Sequence, residues 1–199
     1  MSKAKKLAAI VMSVMMALSL TVPALATDGD DDVQNSTNVT YDAETNSVGA
    51  VLDVIYDDGD KVIYYADLGK TPITFCYEDG TAAYGAGDAV GISIMISYWR
   101  ALGIYQPTLY VEVDSAYSIS YLYTPQVSFN GSLGYYVQSD VSNSKSSGFG
   151  WKAPLVANFN GLPTDITGTQ TAWFESGTIK TTNGLTGIFP NYWGQFDIK

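Results

Sequence analysis

The sequence predicts an all-β protein, either an antiparallel β-sandwich or a jelly-roll-like barrel of about ten short strands. Three observations lead to this fold class. Apolar and polar residues alternate with a period of two over several stretches of the chain. Asp, Asn and Gly residues that favour turns recur about every 8–12 residues. Helix-forming residues are scarce, since the whole chain of 199 residues contains only four glutamates.

The first 26 residues follow the order of a cleavable secretory signal peptide. Three lysines among the first six residues precede an apolar run over residues 7–22. The small side chains of Ala24 and Ala26 suit a signal peptidase, and we expect cleavage after Ala26. The alternative is an uncleaved anchor, because the run approaches the length of a spanning helix. We therefore expect a secreted, extracellular protein of bacterial type whose mature form does not span a membrane.

An acidic leader is expected after the signal, over residues 27–47, because that segment is polar and has few large apolar side chains. It is predicted to be flexible, apart from a short strand around residues 38–41. A single β-rich domain is expected over residues 48–199. The domain begins with two β-branched runs, 48–56 and 61–68, which flank an Asp- and Gly-rich turn and predict a β-hairpin.

A second pair of short strands is predicted over residues 73–77 and 81–84, around another Asp-Gly turn. Residues 90–98 follow a period of two, in which Val90, Ile92, Ile94, Ile96 and Tyr98 alternate with Gly91, Ser93, Met95 and Ser97. An amphipathic helix also fits this stretch, but the isoleucines and the two-residue period favour a strand.

Further strands are predicted in the second half of the chain, separated by turn residues. They cover residues 109–113, 117–123, 126–129, 133–141, 155–159, 169–175 and 178–182. Asn130-Gly131 and Asn183-Gly184 are typical turn dipeptides. The Ser-rich segment 139–150 predicts a mobile loop.

Composition excludes several classes of enzyme. The chain contains no histidine and one cysteine, Cys76. It therefore lacks the residues for Ser-His-Asp and Cys-His catalysis and for His- or Cys-based zinc sites. It also has no partner for an internal disulfide, and Cys76 is expected to be a small packing residue within an apolar run. Carboxylate-based chemistry remains open.

The charge is strongly negative. The formal net charge is −10, and removal of the three signal lysines would bring it to −13. Most acids lie before residue 91. Because phosphates and anionic lipids repel such a protein, we expect neither nucleic acid nor anionic membranes among its partners. An acidic balance is also a common means of keeping a secreted protein soluble.

Carbohydrate binding is the function that the aromatic residues indicate. Trp151, Tyr192 and Trp193 lie among Gly and Pro residues, which suggests exposed loops where the rings can stack on sugars. The alternative is that these rings fill the core or belong to strands, which favour aromatic residues. We therefore expect a binding role rather than an enzymatic one, with an extracellular polysaccharide or cell-surface component as the partner.

A calcium site is a second hypothesis. Asp57, Asp58 and Asp60 bring three carboxylates into one tight turn, and Ca²⁺ prefers oxygen ligands. The sequence lacks the EF-hand pattern, and an ordinary hairpin turn has the same composition.

Two other functions stay open. Glu112 and Asp114, two residues apart, would share one face of a strand, and Glu175 is a further carboxylate. This is compatible with a glycoside hydrolase, or with plain solvated acids. The Ser- and Tyr-rich segment 115–147 is compatible with a toxin or bacteriocin-like protein that inserts β-hairpins into a target membrane.

Overall fold

The computed structural model describes residues 39–83, 89–114 and 116–199. In this part of the chain, fourteen strands form two sheets, which confirms the all-β prediction and is consistent with a β-sandwich. One turn of 3₁₀ helix, Arg100–Leu102, is the helical element among these residues. The expected signal peptide and most of the expected leader lie outside the described residues. No helix within those residues has the length and apolar character needed to cross a bilayer.

The larger sheet has nine strands. These are β1 (Thr40–Asp42), β2 (Ser47–Val51), β5 (Phe75–Cys76), β8 (Ile119–Gly131), β9 (Tyr136–Ser144), β11 (Gly168–Phe174), β12 (Gly177–Thr181), β13 (Thr186–Phe189) and β14 (Asn191–Ile198).

Strand β8 is the centre of the larger sheet. Along one edge it pairs with β11 and then with β12, and along the other it pairs with β9. Strands β14 and β13 continue the sheet beside β11 and β12, so that residues 168–198 form one long antiparallel hairpin with a break in each arm. Strand β2 then pairs with β14 in parallel, which joins the two ends of the described chain.

The smaller sheet has five strands in the order β10-β7-β6-β4-β3. Their bounds are β3 (Asp53–Asp57), β4 (Lys61–Pro72), β6 (Ala89–Trp99), β7 (Ile104–Glu112) and β10 (Lys152–Val156). All neighbouring pairs are antiparallel.

The chain passes from one sheet to the other at Leu52. This residue lies between β2 in the larger sheet and β3 in the smaller one, and its N–H donates to the carbonyl of Gln195 over 2.7 Å. The predicted hairpin is therefore formed by β3 and β4 alone, because the first half of the predicted run 48–56 belongs to the other sheet.

The core lies between the inner faces of the two sheets and is rich in aromatic rings. Tyr98 and Tyr105 from the smaller sheet stack with ring centroids 4.1 Å apart. Tyr105 then meets Phe129 of the larger sheet at 5.6 Å, and Tyr64 meets Phe196 at 4.8 Å. Aromatic contacts of this kind across the layer hold the sheets face to face.

Some predicted elements are confirmed by the structure, and others differ from it. Strand β1 (Thr40–Asp42) corresponds to the short strand expected around residues 38–41, and β2 begins one residue before the expected start of the domain. Residues 90–98 form β6, as the two-residue period predicts. The expected mobile loop 139–150 is partly wrong, because β9 extends through Ser144 against β8. Strands β13 and β14 were not predicted, since Pro190 and the nearby glycine suggested loops.

Candidate functional site

The outer face of the larger sheet carries a row of side chains that crosses four neighbouring strands. Gly49 of β2 pairs with Trp193 of β14, Trp193 pairs with Trp173 of β11, and Trp173 pairs with Ser128 of β8. The next row on the same face includes Gln195 and Thr171. We refer to these six residues as the aromatic face: Gly49, Ser128, Thr171, Trp173, Trp193 and Gln195.

Alternation along the strands puts the two tryptophans on the outside. In β14, Tyr192, Gly194, Phe196 and Ile198 are buried, while Trp193 and Gln195 between them are partly exposed. In β11, Gln170, Ala172 and Phe174 are buried, while Thr171 and Trp173 are partly exposed. Because side chains alternate between the two faces of a strand, Trp173 and Trp193 point away from the core.

The indole of Trp193 lies on the backbone of Gly49. A methyl group at position 49 would lie 2.1 Å from Cδ2, 2.3 Å from Cε2 and 2.4 Å from Cγ of the indole. These similar distances to three ring atoms mean that one face of the indole rests on the glycine. Its other face is directed away from the sheet, and the side chain keeps partial solvent exposure.

Trp173 extends this surface on the other side of Trp193. Directly paired residues on neighbouring antiparallel strands have Cβ atoms about 4.5–5.5 Å apart, so the two tryptophans are adjacent. Ser128, the next residue in the row, is on the outer face and yet only 6 % exposed. Its small side chain is therefore covered by its neighbours at this end of the row.

Uncharged hydrogen-bonding side chains border the tryptophans. Gln195 and Thr171 pair across β14 and β11, and Thr169 and Asp197 form the row beyond them. The hydroxyl of Thr169 donates to Oδ1 of Asp197 over 2.7 Å, so this carboxylate already has a partner. On the side of Gln195 and Thr171, the surroundings of the tryptophans therefore offer amide and hydroxyl groups.

A second group of aromatic side chains lies on the same outer face, further along β8. The rings of Tyr121 and Tyr123 are parallel to within 6°, with centroids 6.3 Å apart. Lys180 lies over the Tyr121 ring at 5.8 Å, and the Tyr123 hydroxyl donates to Asp140 over 2.9 Å. Tyr123 pairs with Thr178, five residues beyond Trp173, which corresponds to about 16 Å along the strands.

The structure separates the three residues predicted to bind a ligand. Trp193 is on the outer face, but it belongs to β14 rather than to a loop. Tyr192 is fully buried on the inner face of the same strand and so is not available to an external ligand. Trp151 is 49 % exposed and precedes β10 at the edge of the smaller sheet. The neighbour of Trp193 is therefore Trp173, which is not one of the predicted binding residues.

The aspartates of the predicted calcium site have partners within the protein. Both carboxylate oxygens of Asp57 accept hydrogen bonds from Arg100, over 2.6 and 2.8 Å. The hydrogen bonds from Arg100 and from the Gly59 N–H hold the pKa of Asp57 well below its ordinary value. Asp58 accepts from the Tyr56 hydroxyl at 2.8 Å and from two backbone N–H groups of the turn.

No cluster of three or more His, Cys, Asp or Glu side chains in residues 39–83, 89–114 and 116–199 is arranged to hold a metal ion. The turn at residues 57–60 has the hydrogen bonds of an ordinary hairpin connection, and Arg100 binds the carboxylate of Asp57 beside it.

The other predicted carboxylates do not share a strand face. Glu112 is the last residue of β7, and its carboxylate lies 3.4 Å from Nζ of Lys152. Asp114 lies beyond the strand, where its carboxylate accepts a hydrogen bond from the Ala116 N–H over 2.8 Å. The main chain of Glu175 bonds to Gln126 and Thr124 at the break between β11 and β12.

The Ser- and Tyr-rich segment 115–147 supplies β8 and β9. Insertion of this hairpin into a membrane would require β8 to give up its pairing with β11 and β12.

No protein-family model matches this chain, and comparisons with curated proteins and with solved structures found no match either.

Proposed function

We propose that this protein binds extracellular carbohydrate through the aromatic face of its larger sheet. The observation that supports the proposal best is the position of Trp193, which has one indole face against Gly49 and the other directed outward. An indole held flat on a sheet offers an apolar surface to the apolar face of a sugar ring. Trp173 widens that surface, because it is the direct neighbour of Trp193 in the sheet.

The preferred ligand is an uncharged polysaccharide. Thr171 and Gln195 can exchange hydrogen bonds with sugar hydroxyls, since hydroxyl and amide groups both donate and accept. The net charge of −10 disfavours an anionic polymer at this face. Tyr121 and Tyr123 lie on the same side of the sheet, so a chain of several sugars would reach a second pair of rings.

The proposal includes export by the signal peptide expected over residues 1–26, and it needs no cofactor. A two-sheet sandwich suits it, because the outer face of the larger sheet is open to a ligand while its inner face forms the core.

Retention on insoluble polysaccharides tests the proposal. The mature protein is passed over several neutral insoluble glycans, and the bound fraction is compared for Trp193→Ala, Trp173→Ala and Trp151→Ala. We expect at least one glycan to retain the wild type, and both aromatic-face variants to bind about tenfold more weakly, which equals ~1.4 kcal/mol. Trp151→Ala is the matched control, since Trp151 is an exposed tryptophan associated with the other sheet.

Each variant is checked by its melting temperature, so that loss of binding is separated from loss of folding. Thr171→Ala gives a second test that removes a hydroxyl without disturbing a ring. If retention is unchanged in Trp193→Ala and Trp173→Ala, or if Trp151→Ala alone abolishes it, the aromatic face is not the binding site.

A further inference from the structure

A groove crosses the outer face of the smaller sheet, on a different sheet from the aromatic face. Its volume is about 210 Å³. Small residues of β6, Gly91 and Ser93, form its floor, because larger side chains rise on the strands at either side. We call it the Gly91 groove; its walls are Tyr65, Asp67 and Lys70 from β4 on one side, and Tyr110, Glu112 and Lys152 from β7 and β10 on the other.

Neither backbone conformation nor packing accounts for a glycine at position 91. A glycine inside a strand weakens the strand and often marks a place where a ligand approaches the backbone closely. Gly91 is not among the glycines with positive φ. A methyl group there would meet Cβ of Glu112 at 3.4 Å, which is an ordinary contact.

The other strand glycines without positive φ have a packing reason. In each, among the described residues, a Cβ atom would lie within 3.0 Å of a neighbour; these are Gly49, Gly177, Gly187 and Gly194. Close packing therefore accounts for those glycines, whereas a methyl group at position 91 would make only ordinary contacts, with Glu112.

The charged side chains around this space differ in their partners. Lys70, Gly91, Glu112 and Lys152 form one row across four strands. Glu112 and Lys152 pair with each other at 3.4 Å, and Lys152 also lies over the Tyr110 ring at 5.4 Å. Lys70, on the other side of Gly91, forms no salt bridge with any residue that the structure describes. Of the two lysines at the groove, Lys152 is paired with Glu112, whereas Lys70 has no salt-bridge partner in the part of the chain that the structure describes.

The hydrogen-bonding groups of the groove suit a hydroxylated ligand. Glu112 and Asp67 are acceptors, and Ser93 and Tyr110 carry hydroxyls that both donate and accept. Lys70 and Glu112 are separated by two strand spacings, or about 10 Å. This span, together with the volume of about 210 Å³, suits one sugar ring rather than a chain of them.

We infer that the Gly91 groove binds a single sugar ring that carries a carboxylate, as a uronic acid does. The ligand carboxylate pairs with Lys70, the ring lies over Gly91, and the ring hydroxyls bond to Ser93, Asp67 and Glu112. The inference does not depend on the aromatic face, because the two surfaces belong to different sheets and only the groove is lined by charged side chains.

Ligand-observed NMR with four small probes tests the inference. The probes are glucuronate, glucose, glucosamine and acetate, each added to the full mature protein at low salt. We expect glucuronate to bind, glucose and acetate to bind at least tenfold more weakly, and the glucuronate signal to weaken as salt is added. Equal binding of glucose, preferential binding of glucosamine, or no binding of glucuronate would each overturn the assignment of the ligand class.

Two variants assign the signal to the groove. Gly91→Leu fills the space above the strand and Lys70→Gln removes the cation proposed to pair with the ligand, and each is expected to weaken glucuronate binding at least tenfold. Lys180→Gln, which removes a lysine from the larger sheet, is the matched control and should bind as the wild type does. Gly91→Ala is made alongside, so that a folding defect at this position is recognised from the melting temperature. Glucuronate binding that survives both Gly91→Leu and Lys70→Gln would show that the groove is not the site.

Discussion

Trp193 rests its indole on Gly49, across the parallel pair of strands that joins the two ends of the described chain. A residue larger than glycine at position 49 would occupy the volume of the ring, since even a methyl group would lie 2.1 Å from Cδ2. The glycine therefore fixes the orientation of the tryptophan. The contact between Gly49 and Trp193 thus connects the packing of the sheet to the flat outer surface on which the proposed function depends.

The first prediction is that Gly49→Ala and Trp193→Ala are strongly coupled. In the wild type, Gly49→Ala should lower the free energy of unfolding by about 1–3 kcal/mol, because the added methyl group forces the indole away. In the Trp193→Ala background the same methyl group meets open space, and its cost should fall close to zero. Chemical denaturation of the four proteins of this double-mutant cycle measures the coupling. An equal cost of Gly49→Ala in both backgrounds would contradict the contact.

The second prediction concerns Tyr192, the predicted ligand-binding residue that is buried. Burial raises the pKa of its phenol. The hydroxyl of Thr71 offsets part of that rise, but no described group meets the distance and angle of a hydrogen bond to Tyr192 Oη. Since an unpaired buried hydroxyl is destabilising, Tyr192→Phe should leave the free energy of unfolding unchanged or raise it by up to about 1 kcal/mol.

Polysaccharide retention should also be unchanged in Tyr192→Phe, since the phenol does not reach the outer face. A variant that keeps its melting temperature and loses retention would mean that Tyr192 contacts the ligand after all.

The third prediction is a loss of stability at high pH. Burial raises the pKa of Tyr64 to about 12, from an ordinary value of 10.0, and it raises the pKa of Tyr105 as well. A phenol whose pKa is higher in the folded state than in the unfolded state contributes fully to stability at pH values below its unfolded-state pKa. That contribution is lost as the pH rises from 10 towards 12.

Denaturant unfolding at several values between pH 8 and pH 12 checks this dependence. Tyr64→Phe removes one ionisable phenol, so its stability should fall less steeply than that of the wild type above pH 10. It keeps the ring that packs on Phe196 and loses the hydrogen bond to the Asp197 carbonyl, which lowers its stability at every pH below the transition. Parallel pH curves for the two proteins would rule out a contribution from Tyr64.

The strands could be predicted from the sequence wherever the pattern was local. Residues 90–98 show a period of two, and they form β6 as that pattern predicts. Gly194 shows where local reasoning failed, because it suggested a loop around Trp193. In the structure Gly194 lies inside β14, where a side chain would approach the two terminal methyl groups of Leu52 to 3.0 Å. A glycine occurs at position 194 because of this contact between distant parts of the chain, and a local sequence pattern carries no information about such a contact.

The candidate site was only partly predictable for the same reason. The alternation of Gln170, Ala172 and Phe174 with Thr171 and Trp173 was visible in a predicted strand, and it would have put Trp173 on an outer face. That Trp173 meets Trp193 depends on the register between β11 and β14. Register is set by the whole hairpin and its turn, so the sequence suggested aromatic binding residues without indicating which ones lie together.

The last prediction concerns Arg100 and the turn that was proposed as a calcium site. Arg100 donates two hydrogen bonds to Asp57 and a third to the carbonyl of Gly59, over 3.0 Å. Because these bonds hold the pKa of Asp57 below 3.8, the pair stabilises the fold above that pH, and the contribution is lost as the pH falls below it. Arg100→Gln should therefore lower the melting temperature at pH 7, and the difference from the wild type should shrink towards pH 2.

Since Arg100 already occupies both oxygens of Asp57, neither millimolar Ca²⁺ nor EDTA should move the melting temperature of the wild type, whereas Arg100→Gln, with Asp57 freed, should respond more. A calcium-dependent shift in the wild type that is as large as that in Arg100→Gln would mean that the ion binds without competing with the arginine.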